Sequence, residues 1–350
     1  MTKFHSLSLL LCVLSLLVSL PAAFSQDQQF TQFYAAPLTL NPALTGAFEG
    51  KYRVATSYRD QWKQVLDAPI KSFALAADLR FDAGGVKVKE DAIGLGLLFT
   101  NDKTGTVDFS TTQIAISLAY HKSLGVSNRQ FLTVGFQGGL TQRNVNYASL
   151  QFHDQFDGVT GYSFGTGENL PENNFSFSEY HLGLNYTAQI GKGGRIYTGA
   201  SYHHVGKSRT AFFETSSAGE KLFSKYSAQV AANIPLRRDG RVSLLPRFLV
   251  ASQGPHLQIN TGTNFRFAMG QYGGTALHFG GWARPVRNND GFGLDALVAL
   301  VGIELNNVLI GLSYDLNLQA LSANQRQGAF EISIAYLGNY DNEEIICPKF

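Results

Sequence analysis

Hydrophobic and polar residues alternate with a period of two along most of the chain. Between Gln113 and Lys122 the larger apolar residues occupy the even positions, from Ile114 to Tyr120, and small or polar residues occupy the odd ones. The same alternation recurs at 72–81, 180–190, 226–234, 257–267, 308–316 and 330–336. Because successive side chains of a strand point to opposite faces, this pattern predicts strands with one apolar face and one polar face.

The full pattern predicts about fourteen antiparallel strands. They are expected at 51–61, 70–81, 91–101, 109–122, 129–143, 176–190, 194–206, 223–234, 241–251, 256–267, 274–284, 291–303, 307–316 and 327–337. Most of these segments are about 10 to 14 residues long, whereas strands of soluble proteins usually have about five or six. Segments of this length suit tilted strands that cross a lipid bilayer.

The predicted connections alternate between long and short. Long ones fall at 144–175, 207–222, 285–290 and 317–326, and short ones at 191–193, 235–240, 269–273 and 304–306, with 252–255 as a short exception among the long ones. Long external loops and short periplasmic turns are typical of outer-membrane barrels. An even number of strands then predicts that both chain termini lie in the periplasm.

These features predict an all-β fold, namely a transmembrane outer-membrane β-barrel over residues 50–337. An open sheet edge in lipid would leave backbone groups without hydrogen bonds, so the sheet must close. The alternative is a secreted β-sandwich, whose apolar face would pack inward against a second sheet. Tyrosine and tryptophan residues near strand ends, among them Tyr120, Tyr226 and Trp282, suit as a group the aromatic girdles of a membrane barrel. The alternative is the ordinary preference of aromatic residues for strands.

The first 25 residues are predicted to be a signal peptide. Lys3 supplies a positive charge, Leu7–Leu20 is an apolar run of about 14 residues, and Ala23-Phe24-Ser25 suits a cleavage site. A retained membrane anchor is the alternative, but the run is short for a spanning helix. After cleavage only Cys347 remains, which excludes an internal disulfide framework.

The composition and motifs indicate no enzyme. The net charge is only +2, and no basic run suggests nucleic acid. Phosphate-binding glycine loops, helical metal motifs and nucleophile elbows are absent. The pair His203–His204 would point to opposite faces of a strand and is therefore a poor metal site. We expect no catalytic residues, metal or cofactor.

Charged residues on the polar faces suggest contacts across the barrel seam. Arg53 and Arg59 share the polar face of the first strand, Glu331 lies on that of the last, and Asp315 on that of its neighbour. Barrel closure places the first strand beside the last. We predict that Arg53 or Arg59 faces Glu331, the alternative being that these side chains are solvated separately.

The ends of the chain are predicted to lie outside the strands. Residues 26–49 are rich in aromatic, Asn, Pro and Gly residues, and Pro37 and Pro42 lack backbone donors. Irregular backbone at membrane depth must be buried in protein or line a wet cavity. We expect this segment to form a partial plug in the periplasmic mouth, the alternative being a flexible leader. Residues 338–350 are expected to form a periplasmic tail.

The chain resembles the PorP/SprF family of Bacteroidetes outer-membrane proteins, which is associated with type IX secretion and gliding motility. The resemblance rests on spaced elements at both ends of the mature chain, namely Gln32-Phe33-Tyr34, Asn41-Pro42-Ala43 with Gly46, Arg59-Asp60-Gln61-Trp62 and Cys347-Pro348.

This resemblance implies a non-enzymatic component that supports export or surface display of secreted proteins and gliding adhesins. Its implied partners are periplasmic lipoprotein and ring components, together with adhesin substrates. The residues alone also allow a transport channel for small or apolar solutes, and they leave a surface hydrolase as a third reading.

Overall fold

The alternating segments fold into fourteen antiparallel strands that close into a barrel, as a computed structural model of the chain shows. Each strand pairs with its neighbours in the sequence, and the first pairs with the last. The strands are β1 Tyr52–Gln61, β2 Ile70–Asp82, β3 Ala92–Thr104, β4 Phe109–Ser123, β5 Gln130–Asn144, β6 Asn174–Ile190, β7 Gly194–His203, β8 Lys225–Pro235, β9 Val242–Gln253, β10 His256–Met269, β11 Thr275–Asn288, β12 Gly291–Leu305, β13 Val308–Asn317 and β14 Gly328–Gly338.

The structure describes fifteen stretches of the chain. They are residues 27–48, 50–63, 66, 68–83, 91–105, 108–124, 129–159, 161–191, 193–206, 208, 212, 222–269, 274–288, 291–318 and 328–338. The predicted signal peptide therefore lies outside the described residues. So do Cys347 and Pro348 and all of the predicted tail after Gly338.

The predicted fold class is confirmed, and every predicted strand is present. One clear difference concerns residues 285–290, which we expected to form a loop. Instead β11 continues through Pro285 to Asn288, and its pairing with β12 is irregular between Arg284 and Pro285. A proline cannot donate to a sheet ladder, and such an irregularity is where a strand accommodates one.

The two faces of the wall differ as the period predicts. In β4 the side chains of Ala115, Ser117 and Ala119 point inward and are buried, whereas Ile114 and Ile116 point outward and are 59% and 58% exposed. Small and polar residues therefore line the lumen, and large apolar residues cover the outside. None of the helices among the described residues is long and apolar enough to span a membrane.

The two ends of the barrel are distinguished by their connections. The near end is the end at which β1 begins and β14 finishes, and it has connections such as residues 191–193 and 306–307. The far end is the opposite one. It has the longest connections, residues 145–173 and 204–224, of which the first contains two short 3-10 helices, Tyr147–Ser149 and His153–Gln155.

Residues 27–48, which we call the inner segment, precede β1. This stretch contains the 3-10 helix Phe33–Ala35, the single-turn helix α1 Pro37–Leu40 and the 3-10 helix Pro42–Leu44. Pro37 and Pro42 each occupy a helix start, where the missing backbone donor costs nothing. The Asn41 side chain accepts a hydrogen bond from the Ala43 N–H and caps the last of the three helices.

Candidate functional site

The inner segment runs through the lumen from the far end to the near end. Asp27 contacts Gln253 at the far end of β9, and Phe48 packs against Arg53 at the near end of β1. The segment therefore extends along the barrel, whereas the sequence placed it at one mouth. Its family-motif residues are buried or half-buried, and Gln32, Asn41 and Ala43 are fully buried.

The first part of the inner segment binds two carboxylates on β13 and β14. The backbone N–H groups of Thr31 and Gln32 donate to the two oxygens of Glu331, at 2.8 and 2.7 Å. The Thr31 hydroxyl donates to Asp315 at 2.8 Å. Both carboxylates also contact Arg59, at 2.8 Å for Asp315 and 3.2 Å for Glu331. Buried charges of this kind are stable only when paired and hydrogen-bonded, and the inner segment supplies part of that pairing.

The Gln32 side chain extends the same contact. Its Nε2 donates to the Ser313 hydroxyl at 3.1 Å, and the Ser333 hydroxyl donates to its Oε1 at 2.7 Å. A Cβ on Gly311 would collide with Gln32 Oε1. The wall of β13 and β14 is therefore shaped and charged to receive this one side chain.

The seam residues divide into two groups in the structure. Arg59 lies opposite Glu331 in the β1–β14 register and contacts it. Arg53 instead pairs with Asp78 on β2, at 2.7 Å, and donates to the Leu44 carbonyl at 2.9 Å. Of the two arginines proposed for the seam, only Arg59 contacts Glu331, because Arg53 lies nearer the end where β1 begins.

Asp78 anchors the final part of the inner segment. Its carboxylate accepts a hydrogen bond from the Gly46 N–H at 2.7 Å in addition to those from Arg53. Gly46 has a positive φ of 69°, and a Cβ there would lie 2.8 Å from the Gly94 Cα. Glycine is therefore required at this turn for both its conformation and its lack of a side chain.

Lumen-facing glycines accommodate the middle of the inner segment. A Cβ on Gly135 would collide with the Pro42 and Ala43 backbone, and one on Gly183 would collide with the Asn41 side chain. The Asn41 Nδ2 donates to the carbonyls of Leu184 and Ala200 at 3.0 and 3.2 Å. Because these carbonyls belong to the walls of β6 and β7, Asn41 ties the segment to the barrel itself.

Tyr34 packs in an aromatic and cationic layer inside the lumen. Its ring stacks on Trp282 with centroids 5.9 Å apart, and the Arg247 guanidinium lies 3.7 Å above it. Trp282 is only 4% exposed. Among the aromatic residues that suit a girdle as a group, Trp282 is therefore not on the outer surface, because it points inward on the same face of β11 as His278.

A cluster of histidines and acids holds Asp27 at the far end. His204 Nε2 lies 2.8 Å from Asp27, its Nδ1 lies 3.2 Å from Glu179, and Lys225 lies 3.3 Å from Asp27. His204 follows β7 and has a positive φ of 59°. This turn brings both His203 and His204 into the lumen, which corrects the expectation that they point to opposite faces. No group of side chains in the described residues is arranged to hold a metal ion.

The pKa values of this cluster follow from its contacts. Burial would raise the pKa of Asp27, but Lys225 and His204 hold it well below its ordinary value. Burial would lower the pKa of His204, but Asp27 and Glu179 raise it to about 9. Asp27 is therefore anionic and His204 cationic at neutral pH.

Two polar cavities remain beside the inner segment in the far half of the lumen. The larger has a volume of about 430 Å³, and its charged lining includes Asp27, Asp102 and Arg287. The smaller has a volume of about 140 Å³ and lies between β3, β4, β5 and β6. Both are polar spaces in which water or a charged ligand group can lie.

The closed barrel, its apolar exterior and its filled polar lumen define the class of protein, an outer-membrane β-barrel that contains its own N-terminal stretch. A family model described as "Type IX secretion system membrane protein PorP/SprF" matches residues 22–336. The chain belongs to this family, as the motifs at its two ends predict. No curated protein sequence matches it.

The comparison with solved structures found several barrels, at low sequence identity. The CymD monoaromatic hydrocarbon channel has 10% identity and a TM-score of 0.49, with 92% of this chain and 96% of that chain covered. The deltaS2 mutant of the TodX monoaromatic hydrocarbon channel has 13% identity and a TM-score of 0.49, covering 87% and 94%. BamA from Haemophilus ducreyi lacking POTRA domains 1-3 has 8% identity and a TM-score of 0.43, covering 82% and 70%.

Proposed function

We propose that this protein is a non-enzymatic outer-membrane component of the type IX secretion system, acting through protein–protein contacts in the export or surface display of secreted proteins and gliding adhesins. The observation that carries the proposal is the family match over residues 22–336. Contacts from Asp27 at one end of the lumen to Phe48 at the other support a role that does not require an open pore.

In this proposal the inner segment acts as a fixed plug. Glu331, Asp315 and Asp78 each bind both an arginine of the wall and a group of the segment. Displacing the segment would leave these buried carboxylates with fewer partners, which is costly in a lumen of low dielectric. The segment therefore behaves as part of the barrel core.

The near end is assigned to the periplasm because the long connections cluster at the other end, as in outer-membrane barrels generally. Periplasmic lipoprotein and ring components would then meet the near-end turns and the tail beyond Gly338. Secreted adhesins would meet the far-end loops, of which residues 145–173 form the longest described. The outer face contacts lipid, and no catalytic residue, metal or cofactor takes part.

A transport channel for small or apolar solutes is the competing function. The cavity of about 430 Å³ at the far end provides some space, but its lining includes Asp27, Arg59, Asp102 and Arg287. Charged walls of this kind do not favour apolar solutes, since such solutes would leave the charges desolvated. The secretion role is therefore the better supported of the two.

The proposal is tested in a strain from which the gene is deleted. We expect specific secreted or surface proteins to disappear from quantitative proteomes of the medium and cell surface, while uptake of small solutes stays normal. The control is the same strain complemented with the wild-type gene. An unchanged secreted and surface proteome would refute the proposal, and a selective uptake defect would favour the channel.

A further inference from the structure

One lumen arginine differs from the others in its partners. Arg143 lies on β5, and its guanidinium carbon is 5.6 Å from the centre of the Phe177 ring on β6. Its Nε is buried and has no hydrogen-bond partner among the described residues. A buried guanidinium donor without an acceptor is costly, so such a group points to a ligand that supplies one.

The buried arginines of the lumen all donate to acidic or amide side chains, including Arg247, which donates to Asn264. Arg53 binds Asp78, Arg59 binds Asp315 and Glu331, Arg266 binds Glu304, and Arg284 binds Asp295 and Asp315; Arg247 lies over Tyr34. A satisfied arginine is thus the rule inside this barrel. Arg143 is the exception, because the described residues offer its Nε the Phe177 ring and no hydrogen-bond acceptor.

The two carboxylates nearest Arg143 are engaged elsewhere. Glu179 accepts hydrogen bonds from Gln113 at 2.6 Å and Thr141 at 2.7 Å, and it lies 3.2 Å from His204. Asp27 is held by His204, Lys225 and Gln253. Both carboxylates are therefore held by other groups, and neither accepts a hydrogen bond from Arg143.

A cavity adjoins this arginine. It has a volume of about 140 Å³, and its lining combines Arg143 with the hydroxyl and amide groups of Thr100, Thr111, Gln113 and Thr141. The carboxylates of Asp27, Glu179 and Asp102 also line it, and Asp102 accepts a hydrogen bond from Ser72. This space holds several waters or one small acidic group. Hydroxyl and amide donors beside a guanidinium form a setting that suits a carboxylate.

Aromatic rings lie on the far-end side of the same cavity. Phe175 packs against Phe177 with ring centroids 5.8 Å apart and against Phe212 at 4.7 Å, and Phe109 lies 6.3 Å from Phe212. Phe109 and Phe177 also line the cavity. A ligand bound at Arg143 would lie beside these rings, so it should carry an apolar or aromatic group next to its carboxylate.

We propose that Arg143 and the Phe109–Phe177 surface form a binding site for a carboxylate of a polypeptide, with an apolar or aromatic residue beside it. This inference rests on the proposed secretion role, in which exported proteins are the polypeptides that approach the far end. The guanidinium binds both oxygens of the carboxylate, and the phenyl rings cover the neighbouring apolar side chain.

The test uses the full-length protein purified in detergent and three probes, which are acetyl-alanyl-phenylalanine, its C-terminal amide and inorganic phosphate. Calorimetry is expected to detect binding of the free acid, with the amide bound at least about tenfold more weakly because it cannot form the charge-assisted pair. Equal binding of acid and amide, or binding of phosphate alone, would overturn the proposal. This comparison needs no mutation.

Variants then locate the site. Arg143→Gln should weaken binding of the acid by about tenfold or more, whereas Arg143→Lys should retain part of the affinity because it keeps the charge. Arg237→Gln, which changes a near-end arginine that is 65% exposed, is the matched control and should bind as the wild type does. A difference in gel migration between boiled and unboiled samples verifies that each variant forms a folded barrel. If Arg143→Gln binds the acid normally, the assignment is wrong.

The outcome is separable from that of the secretion role. If the purified protein binds the free acid but deleting its gene leaves the secreted proteome unchanged, the Arg143 site is supported and the proposed secretion role is refuted. If the deletion strain has a secretion defect but the purified protein does not bind the acid, the secretion role is supported and the Arg143 site is refuted.

Discussion

Replacing Glu331 by glutamine tests how the inner segment is held. Glu331 is fully buried and accepts hydrogen bonds from the backbone N–H groups of Thr31 and Gln32, at 2.8 and 2.7 Å, and from Arg59 at 3.2 Å. Glutamine has nearly the same shape, but one of its two terminal groups is a donor. That NH₂ group would face another donor, and the negative charge opposite Arg59 would be lost.

The magnitude follows from these contacts. Breaking a buried ion pair costs about 3–5 kcal/mol, and a hydrogen bond to a charged group contributes about 1.5–3 kcal/mol. Arg59 keeps its contact with Asp315 at 2.8 Å, so the free-energy loss should lie near the lower end of the range for a broken ion pair, about 3 kcal/mol. We expect docking of the inner segment to weaken by about 3 kcal/mol, which corresponds to about a hundredfold in its equilibrium constant.

Hydrogen exchange followed by mass spectrometry measures this change directly. The amides of Thr31 and Gln32 donate to the altered carboxylate, so peptides from the inner segment should exchange about a hundredfold faster in Glu331→Gln. Peptides from distant strands such as β4 should not change. Glu168→Gln, in an exposed far-end loop, is the control. Wild-type exchange in the Glu331→Gln inner segment, with the barrel intact, would refute the reasoning.

Three further predictions concern the other anchors. Gly135→Val should weaken docking of the segment by about 1–3 kcal/mol through overpacking, seen as faster exchange of residues 41–46. Asp78→Asn should cost about 3–5 kcal/mol and lower the denaturation midpoint in guanidinium. Raising the pH should loosen the Asp27 end by at most about 3 kcal/mol as His204 loses its proton, since Glu179 of the wall supplies part of the pKa shift. The mobility of a spin label at Gln28→Cys in a Cys347→Ser background measures this change.

The direction of the pH effect follows from the two pKa values. Asp27 of the inner segment and Glu179 of the wall together raise the pKa of His204 from 6.5 to about 9. The contribution of the charged imidazole is therefore complete below pH 6.5, falls between these values and is lost above about pH 9. The pKa of Asp27 is lowered well below 3.8, so its contribution is lost only as the pH falls below that value. The mobility of the spin label should therefore be lowest between about pH 4 and pH 6.5 and should rise toward pH 9. His204→Gln should remove this rise at alkaline pH.

Matched variants distinguish these effects from general instability. Gly293→Val places a side chain where no atom lies within 4 Å and should exchange as the wild type does. Asp82→Asn changes a carboxylate that is 63% exposed and should leave the denaturation midpoint unchanged. If either control behaves like its partner variant, the buried contacts are not the cause.

The strands could be predicted from the sequence because the period of two is a local signal. In β1 the predicted polar face of Arg53, Ala55, Ser57 and Arg59 is the buried face. The pairing irregularity at Pro285 was not predicted, since the sequence does not reveal whether a proline ends a strand or lies at an irregularity within it. His204 was missed for a similar reason, because a positive φ is rare outside glycine.

Contacts between distant parts of the chain were harder to predict from the sequence. The sequence proposed Arg53 or Arg59 as the partner of Glu331, but the choice depends on the register at closure, which joins residues 272 positions apart. The path of the inner segment was also unpredicted. A signal was present in Gly135 and Gly183, which weaken strands unless another backbone approaches them closely. These glycines indicate a groove for the inner segment only once it is known that they lie on the same inner face of the barrel.

Conductance of the purified full-length protein in a planar lipid bilayer tests the central claim most directly. If the inner segment fills the lumen from Asp27 to Phe48, the wild-type protein should show no sustained open channel, and Glu331→Gln should show intermittent openings as the segment leaves its site. A steady, salt-dependent conductance of the wild-type barrel would contradict the account.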